Sequence, residues 1–197
     1  MNSILLRLLL VMAALISNAA SVISETPCHS LGQGESVKKT DNVIAQFQAW
    51  SVYVDTNPDE CFAAATPVKT AIEPTTAQAN ICRGALGLTV SYWPELGVSG
   101  QLSFRSGYEF APNAAVEFII DEKSFSLIPI DGGEVAWSSS AVEDRKLVYA
   151  MMQGSQVTII GKSSTGINVR DTFTLSGFAS AVDLAAIKCS HILAKID

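Results

Sequence analysis

The chain has 197 residues, 48% of them hydrophobic and 16% charged, with a net charge of −6. That length and apolar share suit a globular protein with a full hydrophobic core. The acidic balance, with Lys and Arg never in runs longer than two, argues against nucleic acid as a partner, because phosphate binding needs clustered cations.

Residues 1–21 read as a secretory signal peptide. Arg7 supplies a positive charge, Leu8 to Ala20 form an apolar run broken by Ser17 and Asn18, and small or polar residues follow. The run is shorter than the roughly 20 residues that span a bilayer, and no later stretch approaches that length, so no transmembrane segment is expected after cleavage. Export places the mature chain in the periplasm or outside the cell. Losing Arg7 takes the net charge from −6 to −7, since the leader holds no Asp or Glu.

Residues 22–45 are rich in Gly, Ser, Lys and Asp without a sustained period and read as an extended N-terminal arm. Residues 46–197 read as one β-rich domain. Four cysteines follow the leader, at 28, 61, 82 and 189, and an oxidising compartment makes two disulfides the expectation. Three connectivities exist. The preferred one joins Cys61 with Cys82 around a loop rich in Pro and Thr, and Cys28 with Cys189. No metal is expected, because no C-x-x-C or H-x-x-x-H pair occurs and only His29 and His191 could add nitrogen ligands.

Short β-type runs separated by turn residues predict about nine strands, near 47–54, 61–65, 85–93, 101–106, 115–120, 124–128, 134–137, 156–161 and 167–175. The pattern indicates a mainly β fold, an antiparallel β-sandwich or barrel-like domain. One hairpin turns at Asp121-Glu122-Lys123 and another at Gly161 to Gly166. Gly97-Val-Ser-Gly100 and Asp131-Gly-Gly-Glu134 read as loop and turn; the latter lacks the repeated oxygen ligands of a calcium loop.

Two helices are predicted. Over 141–153, Ser140 and Glu143 form a capping box, Gly154 supplies a left-handed residue at the end, and Leu147, Val148, Met151 and Met152 face a sheet. Over 178–195, Phe178, Val182, Ala185, Cys189, Ile192 and Ile196 recur at steps of three or four as one buried stripe, with Gly177 as the break before it.

In this order the elements resemble the invasion-associated locus B family of exported bacterial proteins, from about Trp50 to Ala181. The resemblance is carried by Trp50-Ser-Val-Tyr leading to Cys61-Phe62, by Gly107-Tyr108-Glu109-Phe110 and by Gly133-Glu-Val-Ala-Trp137. Leu147-Val-Tyr-Ala-Met-Met-Gln-Gly-Ser155 and Asp171-Thr-Phe-Thr-Leu-Ser-Gly-Phe178 complete it. Cys28 lies outside the matched region, and Cys82 and Cys189 depart from the common pattern. The resemblance implies export, a β fold and an association with bacterial entry into host cells. It implies no set of functional residues.

Trp50, Trp93, Tyr108 and Trp137 are the candidate binding surface, although aromatic residues equally suit strand cores. Asp171 reads as an acceptor of local backbone amides. Catalysis is not expected, and no cofactor is implied. The two imidazoles sit in the arm and on the terminal helix, no G-x-S-x-G elbow occurs, and Glu95, Glu109, Asp121 and Glu134 form no recognisable pair. The chain is therefore expected to bind a protein or envelope partner, with a periplasmic carrier of a small apolar ligand as the alternative. Large residues at the predicted inward positions, Phe118, Ile120, Phe125, Leu127, Ile159 and Phe173, favour the former.

Overall fold

The computed structural model describes residues 42–57, 59–73 and 83–193, with the side chains of 191–193 left aside. The leader, most of the arm, Cys28, His29, Cys82 and Ile196 lie outside the described residues.

Alternation of apolar and polar residues builds the first three strands, β1 (Val43–Phe47), β2 (Trp50–Thr56) and β3 (Asp59–Ala65). They are followed by β4 (Lys69–Glu73), β5 (Gly87–Trp93), β6 (Val98–Arg105), β7 (Val116–Ile120) and β8 (Lys123–Pro129). β9 (Val135–Trp137) leads into α1 (Ala141–Gln153), and β10 (Gln156–Lys162), β11 (Asn168–Thr174) and α2 (Phe178–Leu193) complete the order.

All pairings are antiparallel, and the eleven strands form one sheet in the order β1-β2-β3-β5-β6-β9-β8-β7-β10-β11-β4. The sheet does not close, since β1 and β4 are its edges. β8 joins its two halves. Its first residues pair with β7, Val116 opposite Leu127, whereas Ile128 and Pro129 pair with Trp137 and Ala136 of β9. The halves share one core, seen where Phe104 of β6 meets Phe173 of β11 edge to face at 6.2 Å and where the Trp50 indole N–H donates to the Thr174 carbonyl at 2.9 Å.

Among the described residues eleven strands replace the expected nine. The run expected at 47–54 is a hairpin, because Gln48 takes φ 54° and turns the chain between β1 and β2, so residues 43–45 of the expected arm are strand. β4 was hidden by Lys69 and Glu73, charges suited to an edge strand that pairs with β11 alone. Gly97-Val-Ser-Gly100 is not a loop. Gly97 ends a short turn over Pro94–Leu96, and Gly100, at φ 76°, is a bulge that lets Ser91 oppose Gln101 and Tyr92 oppose Ser99.

Both helices form where the sequence places them. The Ser140 hydroxyl accepts from the Glu143 amide at 3.3 Å, but the Glu143 carboxylate takes Lys146 at 2.6 Å instead of closing the capping box. The buried stripe of α1 is Asp144, Leu147 and Met151, with Val148 and Met152 only partly buried. Gly154 is extended, at φ −92°, not left-handed. It is there for space: an added Cβ would lie 2.6 Å from Ile120 Cγ2. On α2 the buried residues Phe178, Ala181, Val182, Ala185 and Cys189 form the expected stripe.

The preferred disulfides are corrected. Cys189 is bonded to Cys61, which lies on β3 with its side chain in the core, so the bridge pins α2 across the sheet. Sequence spacing favoured Cys82 for Cys61, yet the α2 stripe brings Cys189 over β3. Asp171 is likewise no acceptor of local amides at a strand start; it sits in the middle of β11 and pairs with Arg83.

Candidate functional site

The register divides the strongly polar and aromatic residues between two places. One is interior. Arg83, entering from the segment before β5, makes a two-pronged pair with Asp171, Nη1 to Oδ1 at 2.8 Å and Nη2 to Oδ2 at 2.7 Å, with both side chains 1% exposed. Its Nε and Nη2 also donate to the Ser106 carbonyl at 2.9 and 2.6 Å, and the Thr70 hydroxyl donates to Asp171 at 2.5 Å. The Tyr108 ring stands 5.4 Å from the guanidinium carbon.

Tyr108 is buried, and its hydroxyl has no hydrogen-bond partner among the described residues. Burial first, then the Asp171 charge, hold this phenol above the usual tyrosine range, against the opposing effect of Arg83. Gly161 makes room for it, since an added Cβ would lie 2.6 Å from the hydroxyl. Every strong donor and acceptor of the ion pair is thus used internally. The cluster ties β4, β11 and the segments flanking β5 and β6 together.

The second place is the outer face of β2, β3, β5, β6 and β9. Along β2 the residues Trp50, Val52 and Val54 point to the core, so Ser51, Tyr53 and Asp55 point away. The pairing carries this outward set across the sheet to Glu60, Phe62 and Ala64 of β3, to Thr89, Ser91 and Trp93 of β5, and to Ser103 and Trp137. Tyr53 and Phe62, directly opposite each other, stack at 4.6 Å with 6° between their planes. Asp55 and Glu60 are also cross-strand partners, and the Asn42 amide donates to Asp55. Burial pushes the Glu60 carboxyl up; a bond from Ser91 opposes this, and the Asp55 charge adds to it.

The four aromatic residues singled out in the sequence therefore separate. Trp50 and Tyr108 are buried, Trp50 edge-on to Phe178 at 4.7 Å and Tyr108 in the polar cluster. Trp93 and Trp137 are partly exposed and share the outer face. Beside Trp137, its partner Ile128 is 56% exposed. Tyr53, Phe62 and Glu60 belong to the same face and went unnoticed in the sequence, although strict alternation from Trp50 would have found them. Arg83 had no local signal, because its partner lies 88 positions away.

Open clefts lie elsewhere among the described residues. One of about 240 Å³ is bordered by Tyr92, Arg145, Tyr149 and Met152, where burial and the Asp183 charge push the Tyr92 phenol up to about 12. Another of about 450 Å³ lies under the β7–β8 turn beside Gln153 and Gly154, and a third of about 340 Å³ lies at the start of α1. Among the described residues no helix is long and apolar enough to cross a membrane, and no group of three or more His, Cys, Asp or Glu is placed to hold a metal ion.

No protein-family model matches this chain, and no curated protein matches it. Among solved structures, that of invasion associated protein B from Bartonella henselae is similar, with a TM-score of 0.47 at 16% identity over 72% of this chain and 94% of that one.

Proposed function

We propose that this chain is an exported, non-enzymatic protein that binds a macromolecular partner through the outer face of β2, β3, β5, β6 and β9, in the manner of the invasion-associated type its motifs resemble. The observation that carries this reading is the exposure of apolar residues on one face of the sheet: Trp137 and its cross-strand partner Ile128 remain partly in water side by side, and Trp93 does so at the other end of the face that the core does not use. Large amphipathic rings held in place give contact area at little cost in side-chain entropy, which is what an interface anchor requires.

The alternative, a carrier of a small apolar ligand, needs an empty interior. Phe104, Phe110, Phe118, Phe173 and Phe178 are fully buried in the shared core, and the clefts lie at the surface, so the packing supports binding on the outside. A non-catalytic role is supported by the polar cluster, whose charges satisfy each other.

The test is capture by the purified mature protein from envelope and host-surface extracts, run beside Trp137→Ala and Ile128→Ser. A species retained by the parent and lost with both variants is expected. Equal retention by all three would reject this face, and saturable uptake of an apolar dye into the core would favour the carrier.

A further inference from the structure

Val148 and Met152 belong to the apolar pattern of α1, yet the buried stripe of that helix runs through Asp144, Leu147 and Met151 and leaves them beside it. With Arg145 and Tyr149 they recur at helical spacing, so the four residues form a second stripe along one flank of the helix. Between that flank and the sheet lies the open cleft of about 240 Å³, and all four residues line it.

The sheet supplies the other wall through an irregularity. Regular pairing would set Tyr92 opposite Gly100, but the bulge at Gly100 sets it opposite Ser99, and all three residues line the cleft. Bulges re-aim side chains in this way beside binding sites. The Tyr92 hydroxyl comes so close to the bulge that a Cβ on Gly100 would meet it at 3.9 Å. Burial and the Asp183 charge push that phenol up to about 12, so at neutral pH it stays an O–H donor. Arg145 forms no ion pair among the described residues, and its side chain is exposed at the cleft.

We propose that this cleft binds a small aromatic carboxylate, its carboxylate held by the Arg145 guanidinium and the Tyr92 hydroxyl and its ring set against Tyr149 and Met152. Three of the lining groups favour a π face: a guanidinium, a thioether and a tyrosine ring, the last 67% exposed. The guanidinium fork matches a carboxylate in two-pronged fashion. A phosphate dianion would meet that single cation together with the Asp183 charge, whose field already reaches Tyr92. The cleft is smaller than the about 300–1,000 Å³ of ordinary small-molecule pockets, so it suits one ring and not several. The site does not rest on the proposed partner, because Tyr92 points to the helix side of β5 whereas Trp93 points to the outer face.

The probe is benzoate, titrated into the purified mature chain and followed by the amide resonances. Saturable shifts confined to the neighbourhood of Tyr92, Ser99, Gly100 and the Arg145–Met152 flank are expected. Arg145→Gln is expected to weaken binding roughly tenfold or more, and Tyr92→Phe several-fold, with the spectrum elsewhere unchanged to show that each variant is folded. Benzyl alcohol, which lacks the charge, and cyclohexanecarboxylate, which lacks the π face, are expected to bind more weakly than benzoate. Shifts that do not saturate or that fall on other elements would overturn the proposal, as would equal affinity in folded Arg145→Gln. Equal affinity for cyclohexanecarboxylate would overturn the aromatic assignment.

Discussion

Arg83 and Asp171 put two charges where water does not reach them, so each depends on the other and on the Ser106 carbonyl and Thr70 hydroxyl. Replacing Asp171 by Ala leaves a buried guanidinium without its counterion, and a loss of about 3–5 kcal/mol in urea unfolding is expected. Tyr108→Phe has the opposite logic. Its hydroxyl is buried and has no partner among the described residues, so removing it is expected to leave stability unchanged or raise it slightly, and the same titration separates the two cases. At Gly177 the backbone stands at φ 91°, and an added Cβ would lie 2.0 Å from the Phe47 carbonyl oxygen, so no side chain fits without moving β1. Glu60 titrates in a direction fixed by burial, which holds its carboxyl above the ordinary value of 4.5. The folded chain then binds this proton more tightly than the unfolded one, so Glu60 lowers stability by its full amount above its folded value, and the penalty fades as pH falls from there to the ordinary value and is absent below it. Glu60→Gln is expected to melt above the parent at neutral pH and to lose that advantage below about pH 4, read from melting curves across the range.

At the scale of elements, the helices were legible because their signals are local: a Ser cap before α1 and an apolar stripe along α2 at steps of three or four. β1 and β4 were not, because edge strands of five residues carry little apolar pattern and exist through their neighbours. The disulfide shows the same limit from the other side, since the stripe placed Cys189 against the sheet but could not say against which strand. That bond closes a loop of 128 residues, and Cys189→Ser is expected to cost about 2–5 kcal/mol, measured as a fall in melting temperature against the parent. The loss should come with faster proteolysis of the end of α2. An unchanged melting temperature would mean that the packing of Phe178, Val182 and Ala185 holds the helix without the bridge.

Across the whole molecule, strand order was beyond reach of the sequence, because β3 pairs with β5 and β11 with β4, and such pairings are decided by packing between distant segments. The candidate face suffered accordingly: Trp93 and Trp137 were seen, but only the register shows that they share a side with Tyr53 and Phe62. The same topology makes a statement about folding. A sheet whose halves meet at β8 and share a core through Phe104 with Phe173, Trp50 with Thr174 and Arg83 with Asp171 has no place to divide, so it is expected to unfold in one step. The three tryptophans, on β2, β5 and β9, report on one half, while amide exchange in β10 and β11 reports on the other. In urea both probes are expected to give the same midpoint, and Asp171→Ala is expected to shift both together although it lies in only one half. Separate midpoints, or a shift confined to β10 and β11, would show two folding units joined at β8 in place of one.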